Sequence, residues 1–311
     1  MNKENKLLQS LEPIVQGAKN NSQNQLIHYT TEAGLHGILS SQMLWATHFS
    51  ILNDKEELWN YIKRHEEDLL FRGIFSTADE AYRKFKENHD LRKLLTDTQD
   101  FIDYLLKTAA PFILSFCKIL NHDIKNNGDL TMWRSYAHDG GYAVIFTKAE
   151  LESIMIKEQN AYEYLLGPTR PVEVDYELSE KARESFYKDL LGNLNTKTSP
   201  SACFKAVTDG CITKHMAFRA ENESRIFCWV NYQVDPGSKK SAKKIHFRTN
   251  DNVPYIRLNE NSNRLPIKKI IVGPHRLQEE RYQKLCIWLN VNGQNPEIVK
   301  KSNIPYIGIK V

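Results

Sequence analysis

A chain of 311 residues with 41% hydrophobic and 26% charged side chains has an ordinary globular composition and enough length to bury a sizeable core, which excludes disordered and fibrous classes. A formal net charge of +4 is too small to signal nucleic-acid binding by itself. No apolar run reaches about 18 residues, and the opening MNKENKLLQSLEPIVQGAKNNSQNQ has no uninterrupted apolar stretch of the secretory kind; the expectation is a cytoplasmic protein without a membrane partner.

In chain order, Leu7, Leu8, Leu11, Ile14 and Val15 recur at helical spacing, which predicts an N-terminal helical arm over residues 1–25, broken by the polar run at 20–24. LIHYTT (26–31) reads as a strand and Leu35, Ile38 and Leu39 as one face of the helix after it; MLWATHF (43–49) is a second strand, and Asn53-Asp54 cap a helix. Residues 55–110 are charged, proline-free and carry Leu69, Leu70, Phe101, Ile102, Leu105 and Leu106 at helical spacing, predicting a helical insertion. FILSFCKIL (112–120), a short helix at TMWRSYA, GYAVIFT (141–147), a helix over 148–165 and VEVDYEL (172–178) follow, then a mostly helical region to about 218. FRAENESRIFCWV (218–230) reads as one strand with Glu221, Glu223 and Arg225 on a single face. Strands near 244–248, 255–259, 267–273 and 304–311 and a helix at 277–290 complete the chain. The whole is an α+β protein: residues 26–311 as one domain with an insertion.

Cys117, Cys203, Cys211, Cys228 and Cys286 include no C-x-x-C pair, so reduced thiols are expected, and with no zinc spacing no metal site is assigned. Lys239, Lys240, Lys243, Lys244 and Arg248, with Lys268, Lys269, Lys300 and Lys301, are positioned to neutralise phosphates of an RNA or DNA strand, or form a solvated loop. P-loop, Rossmann, G-x-S-x-G and H-E-x-x-H motifs are absent, so an NAD-using enzyme must bind the dinucleotide another way.

The succession LIHYT, GLHGIL, MLWATHFSILND, TMWRSYA, ENESR and IIVG resembles an uncharacterised bacterial domain family of the form L-x-H-Y-T, M-W-x-x-Y-A, E-x-E-x-R, across roughly residues 26–307. Its opening strand and helix look in turn like those of ADP-ribosyltransferases that modify nucleic acids and of RNA 2′-phosphotransferases. That resemblance implies a split, mostly antiparallel core sheet and transfer of ADP-ribose from NAD, as co-substrate, to a macromolecule, with release of nicotinamide. In this role Glu223 stabilises the oxocarbenium-like ribose, Glu221 is the general base with a carboxyl pKa raised by its like-charged neighbour, and Arg225 holds the pair or a phosphate of NAD. His28 and Thr30 hold the ribose, and Tyr29, Trp133 or Tyr136 stacks on nicotinamide. RNA or DNA is the expected acceptor, with protein as an alternative. The expected biology is a toxin of a toxin–antitoxin or anti-phage defence system, held by an antitoxin or chaperone protein.

Each assignment competes with a structural one. His28 is equally read as a satisfied core histidine, Glu221, Glu223 and Arg225 as an exposed salt-bridge row, and Trp133 and Tyr136 as packing at i and i+3 of a helix. A metal-independent ribonuclease using His28 and Glu223 as acid and base, and a non-enzymatic interaction module, are the rival functions.

Overall fold

The Leu-Ile-His-Tyr-Thr run forms the strand β1 (Gln25–Thr30), and Thr31 turns the chain into the helix α1 (Glu32–Ser41) by accepting a bond from Gly34 N, a side-chain N-cap. This is a computed structural model that describes residues 24–51, 100, 103–137, 140–163, 165–176, 207–231 and 240–306. The expected N-terminal arm, most of the 55–110 insertion, Asn53-Asp54 and most of the helical region before 218 lie outside the described residues. Of the insertion, residues 103–108 are helical and bury Leu106.

Chain order continues with β2 (Leu44–His48), β3 (Ala109–Lys118), α2 (His122–Asn127), α3 (Leu130–Tyr136), β4 (Tyr142–Thr147) and α4 (Lys148–Ala161). Short strands β5 (Tyr162–Glu163), β6 (Leu165–Leu166) and β7 (Val172–Glu173) precede a 3₁₀ turn at Met216–Glu221 and the long β8 (Glu223–Asn231). Then come β9 (Ser241–Ala242), β10 (Ile245–Phe247), β11 (Pro254–Leu258), β12 (Lys269–Val272), α5 (Gln278–Val291) and β13 (Val299–Lys301). Local chemistry sets the helix starts: Asp129 accepts from Thr131 N and Met132 N ahead of α3, and Thr147 and Glu150 form a reciprocal capping box ahead of α4.

Several boundaries differ from expectation: the helix expected over 148–165 ends at Ala161, Val172–Glu173 is the strand portion described of VEVDYEL, and two further differences lie later in the chain. The strand expected over 218–230 starts only at Glu223, because residues 216–221 coil into the 3₁₀ turn and Asn222 takes φ 46°, a left-handed conformation that ends it. A strand lies at Val299–Lys301, parallel to β12; of the strand expected over 304–311, residues 304–306 are not in a strand and the rest lie outside the described residues.

The main sheet runs β10-β11-β2-β3-β1-β4-β12-β13, with β8 on the other side of β3 and β6 and β7 beside β8. Its ladders are antiparallel except β12–β13. The central strand β3 is paired with β8 from Ala109 to Cys117. Its opposite edge is divided: Phe112 and Ile113 pair with β2, Cys117 and Lys118 pair with β1, and Leu114–Phe116 meet neither. The sheet therefore splits between β1 and β2.

Alternation along the strands feeds two cores. Leu26, Val144, Phe146, Ile270 and Val272 join the larger one, which α1, α4 and α5 cover. Ile27, Tyr29, Ala143, Ile145 and Ile271 form the smaller one under Met132, Trp133 and Ala137 of α3. Trp133 is fully buried there, its Nε1 donating to Asn127 O at 2.9 Å. Gly128, at φ 74°, leaves room for the indole; a Cβ would stand 2.6 Å from Trp133 Cζ2.

The expected basic tracks are divided between the surface and the fold: Lys240, Lys244, Arg248, Lys268, Lys300 and Lys301 are exposed, while Lys243 and Lys269 are engaged inside it. Lys243 is buried, bonded to Glu158 and, at 2.7 Å, to Glu260, with its ammonium 4.0 Å from the Tyr162 ring centroid. Lys269 donates to Lys125 O and Asn126 Oδ1, and Lys268 and Lys301 pair with Glu150 and Glu279. Replacing Lys243 by Met strands two carboxylates and is expected to lower unfolding free energy by about 3 kcal/mol, whereas Lys244→Met, at an exposed position, changes it by no more than about 0.5 kcal/mol. Chemical denaturation of both variants checks this.

Candidate functional site

The split in the sheet is a cavity of about 210 Å³. Its position follows from the registers. Continued by two residues each, the β1 and β2 ladders would bring both Tyr29 and Trp45 opposite Ser115; because the strands diverge, these rings stand on opposite banks of the opening instead. The floor is Ile113–Cys117 of β3. Behind it, Arg225 and Glu223 of β8 lie directly opposite Ser115 and Cys117 and so share their face of the sheet.

At one end of the cavity four charged groups converge. Arg225 grips Glu223 with both arms of its fork, Nε to Oε1 at 2.8 Å and Nη2 to Oε2 at 3.1 Å, and its Nη1 donates to Cys211 O at 2.8 Å. Lys214 Nζ lies between the carboxylates, 3.2 Å from Glu223 Oε2 and 2.8 Å from Glu221 Oε2. The second oxygen of Glu221 accepts from the Tyr136 hydroxyl at 2.6 Å. Glu221 belongs to the 3₁₀ turn rather than the strand, and Lys214 draws it to Glu223. The Glu223 side chain is 4% exposed and that of Glu221 11%, so Glu221 is the more accessible carboxylate. Tyr176 fixes the start of β8 by accepting from Glu223 N at 2.7 Å.

The electrostatics follow from this packing. Burial alone would raise the Glu223 carboxyl, but the Arg225 guanidinium, the Lys214 ammonium and the Ser115 hydroxyl hold it below the ordinary glutamate range. Carboxylate repulsion does not prevail at Glu223, because two cations stand in its field. Burial and the bond to Glu221 push the Tyr136 hydroxyl upward, and burial followed by the two carboxylates pushes the Cys117 thiol upward. Tyr136 is thus a firm donor and Cys117 a neutral thiol.

His28, Tyr29, Tyr136, Glu221, Glu223 and Arg225 all line the cavity. His28 projects from the opposite face of β1 to Tyr29, packs edge-on against Phe116, and has its Nδ1 2.9 Å from Ser115 O. A carbonyl only accepts, so Nδ1 carries the proton and Nε2 is left as an acceptor. Burial lowers the His28 pKa. The Tyr29 hydroxyl accepts from Asp129 N at 2.7 Å, and its ring meets Trp133 edge-on. Two expected ligands lie elsewhere. Trp133 is sealed in the smaller core by its bond to Asn127. Thr30 is packed against Gly34, its Oγ1 filling the place of a Cβ there. Arg225, buried and bonded to Glu223 and Cys211, is an anchor of the carboxylate rather than a phosphate ligand. Lys214, Ser115, Cys117 and Trp45 were not anticipated. Lys214 sits in Cys-Ile-Thr-Lys with no motif around it, and the other three are placed by the split register, which no local pattern encodes.

A family described as "Protein of unknown function (DUF2971)" matches residues 132–226. The match takes in most of α3, Lys214, the two glutamates and Arg225, and leaves His28 and Trp45 outside. No curated protein and no solved structure matches the chain.

Because the Glu223 pKa is lower folded than unfolded, its stabilising contribution is present above the unfolded value of about 4.3 and is lost as pH falls through the folded value. Glu223→Gln is therefore expected to cost about 3 kcal/mol at pH 7, with the deficit against wild type shrinking as pH falls below about 4. A pH series of denaturant melts tests this, and a deficit that stays constant down to acid pH would contradict it.

Proposed function

We propose that the cleft is the active site of an NAD-dependent ADP-ribosyltransferase. The observation that carries the proposal is the convergence of Glu221 and Glu223 on Lys214 at the edge of a split antiparallel sheet, with Tyr136 on the outer carboxylate. An E-x-E pair is the pattern of arginine-modifying transferases, and the sequence resemblance to ADP-ribosyltransferases points the same way.

In this reading the bond between ribose C1′ and the nicotinamide nitrogen breaks with both electrons leaving on nicotinamide. Positive charge then grows on the ribose. Glu223, held ionised by Arg225 and Lys214, presents a fixed negative field to that charge and needs no rearrangement to do so. Glu221 is the carboxylate nearer solvent; it takes the proton of the incoming nucleophile as the nucleophile's lone pair closes the new bond to C1′. Tyr136 and Lys214 orient Glu221 for that transfer. Neutral His28 offers Nε2 to a ribose hydroxyl, and Tyr29 or Tyr136 supplies the ring beside nicotinamide.

The same facts weaken the ribonuclease alternative. Its general acid would be His28, and burial disfavours the protonated ring. The acceptor is a macromolecule, with RNA or DNA and protein arginine both in play. Lys243 and Lys269 are engaged within the fold and Lys268 and Lys301 are paired at the surface, which leaves the exposed lysines as the basic track available to nucleic acid. An unrestrained transferase would damage its own cell, so a toxin–antitoxin or anti-phage role with an inhibitory protein partner belongs to the proposal.

Purified protein is incubated with labelled NAD, total RNA, single-stranded DNA and lysate protein. Wild type is expected to release nicotinamide and label one acceptor class. Glu223→Gln should lower both by about 100-fold or more, and Glu221→Gln should lower transfer more than NAD hydrolysis, since water needs less activation than a macromolecular nucleophile presented once. Folded wild type that leaves NAD intact sinks the transferase reading.

A further inference from the structure

The β2–β11–β10 side of the sheet carries a second set of groups that the carboxylate chemistry does not use. Trp45 lies flat on Tyr255, with ring centroids 4.5 Å apart and planes 27° from parallel, and His246 stacks on Tyr255 in turn at 5.5 Å and 29°. Such a pair supports a sheet by itself. Trp45, however, is 36% exposed and lines the cavity, whereas Tyr255 beneath it is 6% exposed. The Trp45 ring therefore meets the opening with Tyr255 and His246 stacked in turn behind it.

Directly opposite Trp45 in the β2–β11 ladder is Arg257, on the same face. Its Nη2 reaches only the Tyr255 hydroxyl, at 3.5 Å, its Nε is buried without a hydrogen-bond partner, and no carboxylate pairs with it among the described residues. A partly buried guanidinium that lacks a counter-ion, fixed beside an open aromatic face, is complementary to a ligand with a flat ring and a nearby negative charge.

We propose that Trp45, on its Tyr255 backing at the mouth of the cavity, and Arg257 beside it form a nucleotide subsite, with the base stacked on Trp45 and its phosphate on Arg257. The proposal deepens the transferase reading by giving the site a second point of attachment for nucleotide chemistry. That nucleotide is either the mononucleotide half of a dinucleotide or one unit of a nucleic-acid strand. The subsite shares a sheet face with Glu223 and Arg225, so one ligand can span both.

Calorimetric titration of the full chain with AMP and with adenosine tests it. Wild type is expected to bind AMP more tightly than adenosine. Trp45→Ala weakens both by about tenfold, Trp45→Phe restores most of that loss because it keeps a ring, and Arg257→Gln weakens AMP by about tenfold while adenosine is little changed. NAD that competes with AMP at lower concentration than a single-stranded oligonucleotide assigns the subsite to the dinucleotide; the reverse order assigns it to a strand. Absence of AMP binding by wild type up to about 10 mM, or AMP affinity that is the same in the folded Trp45→Ala and Arg257→Gln variants, overturns the subsite. Labelled-NAD turnover together with Trp45-independent AMP binding overturns the subsite and leaves the transferase reading standing. Trp45-dependent AMP binding with no NAD cleavage does the opposite.

Discussion

One edge of β3 serves two strands that do not stay together, and the rest of the site follows from that division. A strand in mid-sheet must satisfy N–H and C=O groups on both edges. β8 supplies one edge from Ala109 to Cys117, but β1 and β2 meet the other only at its two ends. The Leu114–Phe116 stretch between them is open, and a cavity stands where ladder bonds would be. His28 covers the Ser115 carbonyl with a side-chain bond, so this histidine has a structural task before any chemical one. The same bond fixes its tautomer and leaves Nε2 as an acceptor.

Four charged side chains packed at one end of this opening are costly. Replacing a buried ion cluster by well-packed apolar groups is commonly neutral or stabilising, so stability does not account for Glu221, Lys214, Glu223 and Arg225 together. The second buried cluster, Lys243 with Glu158 and Glu260, shows that buried charge alone is not a functional signal. Glu158 there accepts from the backbone N–H groups of Asn259 and Glu260, and Lys243 joins α4 to the segment around β10. It works as a clasp between elements, and none of its members lines the cavity described. What sets the first cluster apart is its place, since Lys214, Glu221, Glu223 and Arg225 all line the cavity.

Much of the fold was legible because local patterns matched tertiary ones. Leu35, Ile38 and Leu39 became the buried stripe of α1, and GYAVIFT, KIHFR and YIRLN became β4, β10 and β11 with shifts of a residue or two. The misreadings have identifiable causes. Period-2 alternation through 218–222 suggested strand, but Asn222 in a left-handed conformation ends a 3₁₀ turn there. Lys243 sat in a run of lysines that looked solvated, and only the approach of Glu158, 85 residues away in sequence, makes it a core residue. The E-x-E-x-R motif and Tyr136 were readable as parts of a site. Lys214, which joins the two glutamates, was not, since nothing in Cys-Ile-Thr-Lys announces that the 3₁₀ turn folds back over it.

Trp45 illustrates the deeper limit. In sequence it is one aromatic residue in a β-prone run, indistinguishable from a packing residue. Its position becomes informative only when two registers are set side by side: β2 carries Trp45, and β1 carries Tyr29, toward the same β3 residue, Ser115, and the split prevents both from arriving. The cavity is therefore walled by an aromatic ring from each departing strand and floored by the strand they leave. Glu223 and Arg225 are in register with that floor through β8. Aromatic and carboxylate groups are thus positioned by the same central strand, so a shift of β3 by one residue would turn Ser115 and Cys117 to the other face and dismantle both halves at once. Groups that share one rigid strand keep a fixed span between them, and the proposed reading, a nucleotide with a scissile sugar bond, calls for that geometry.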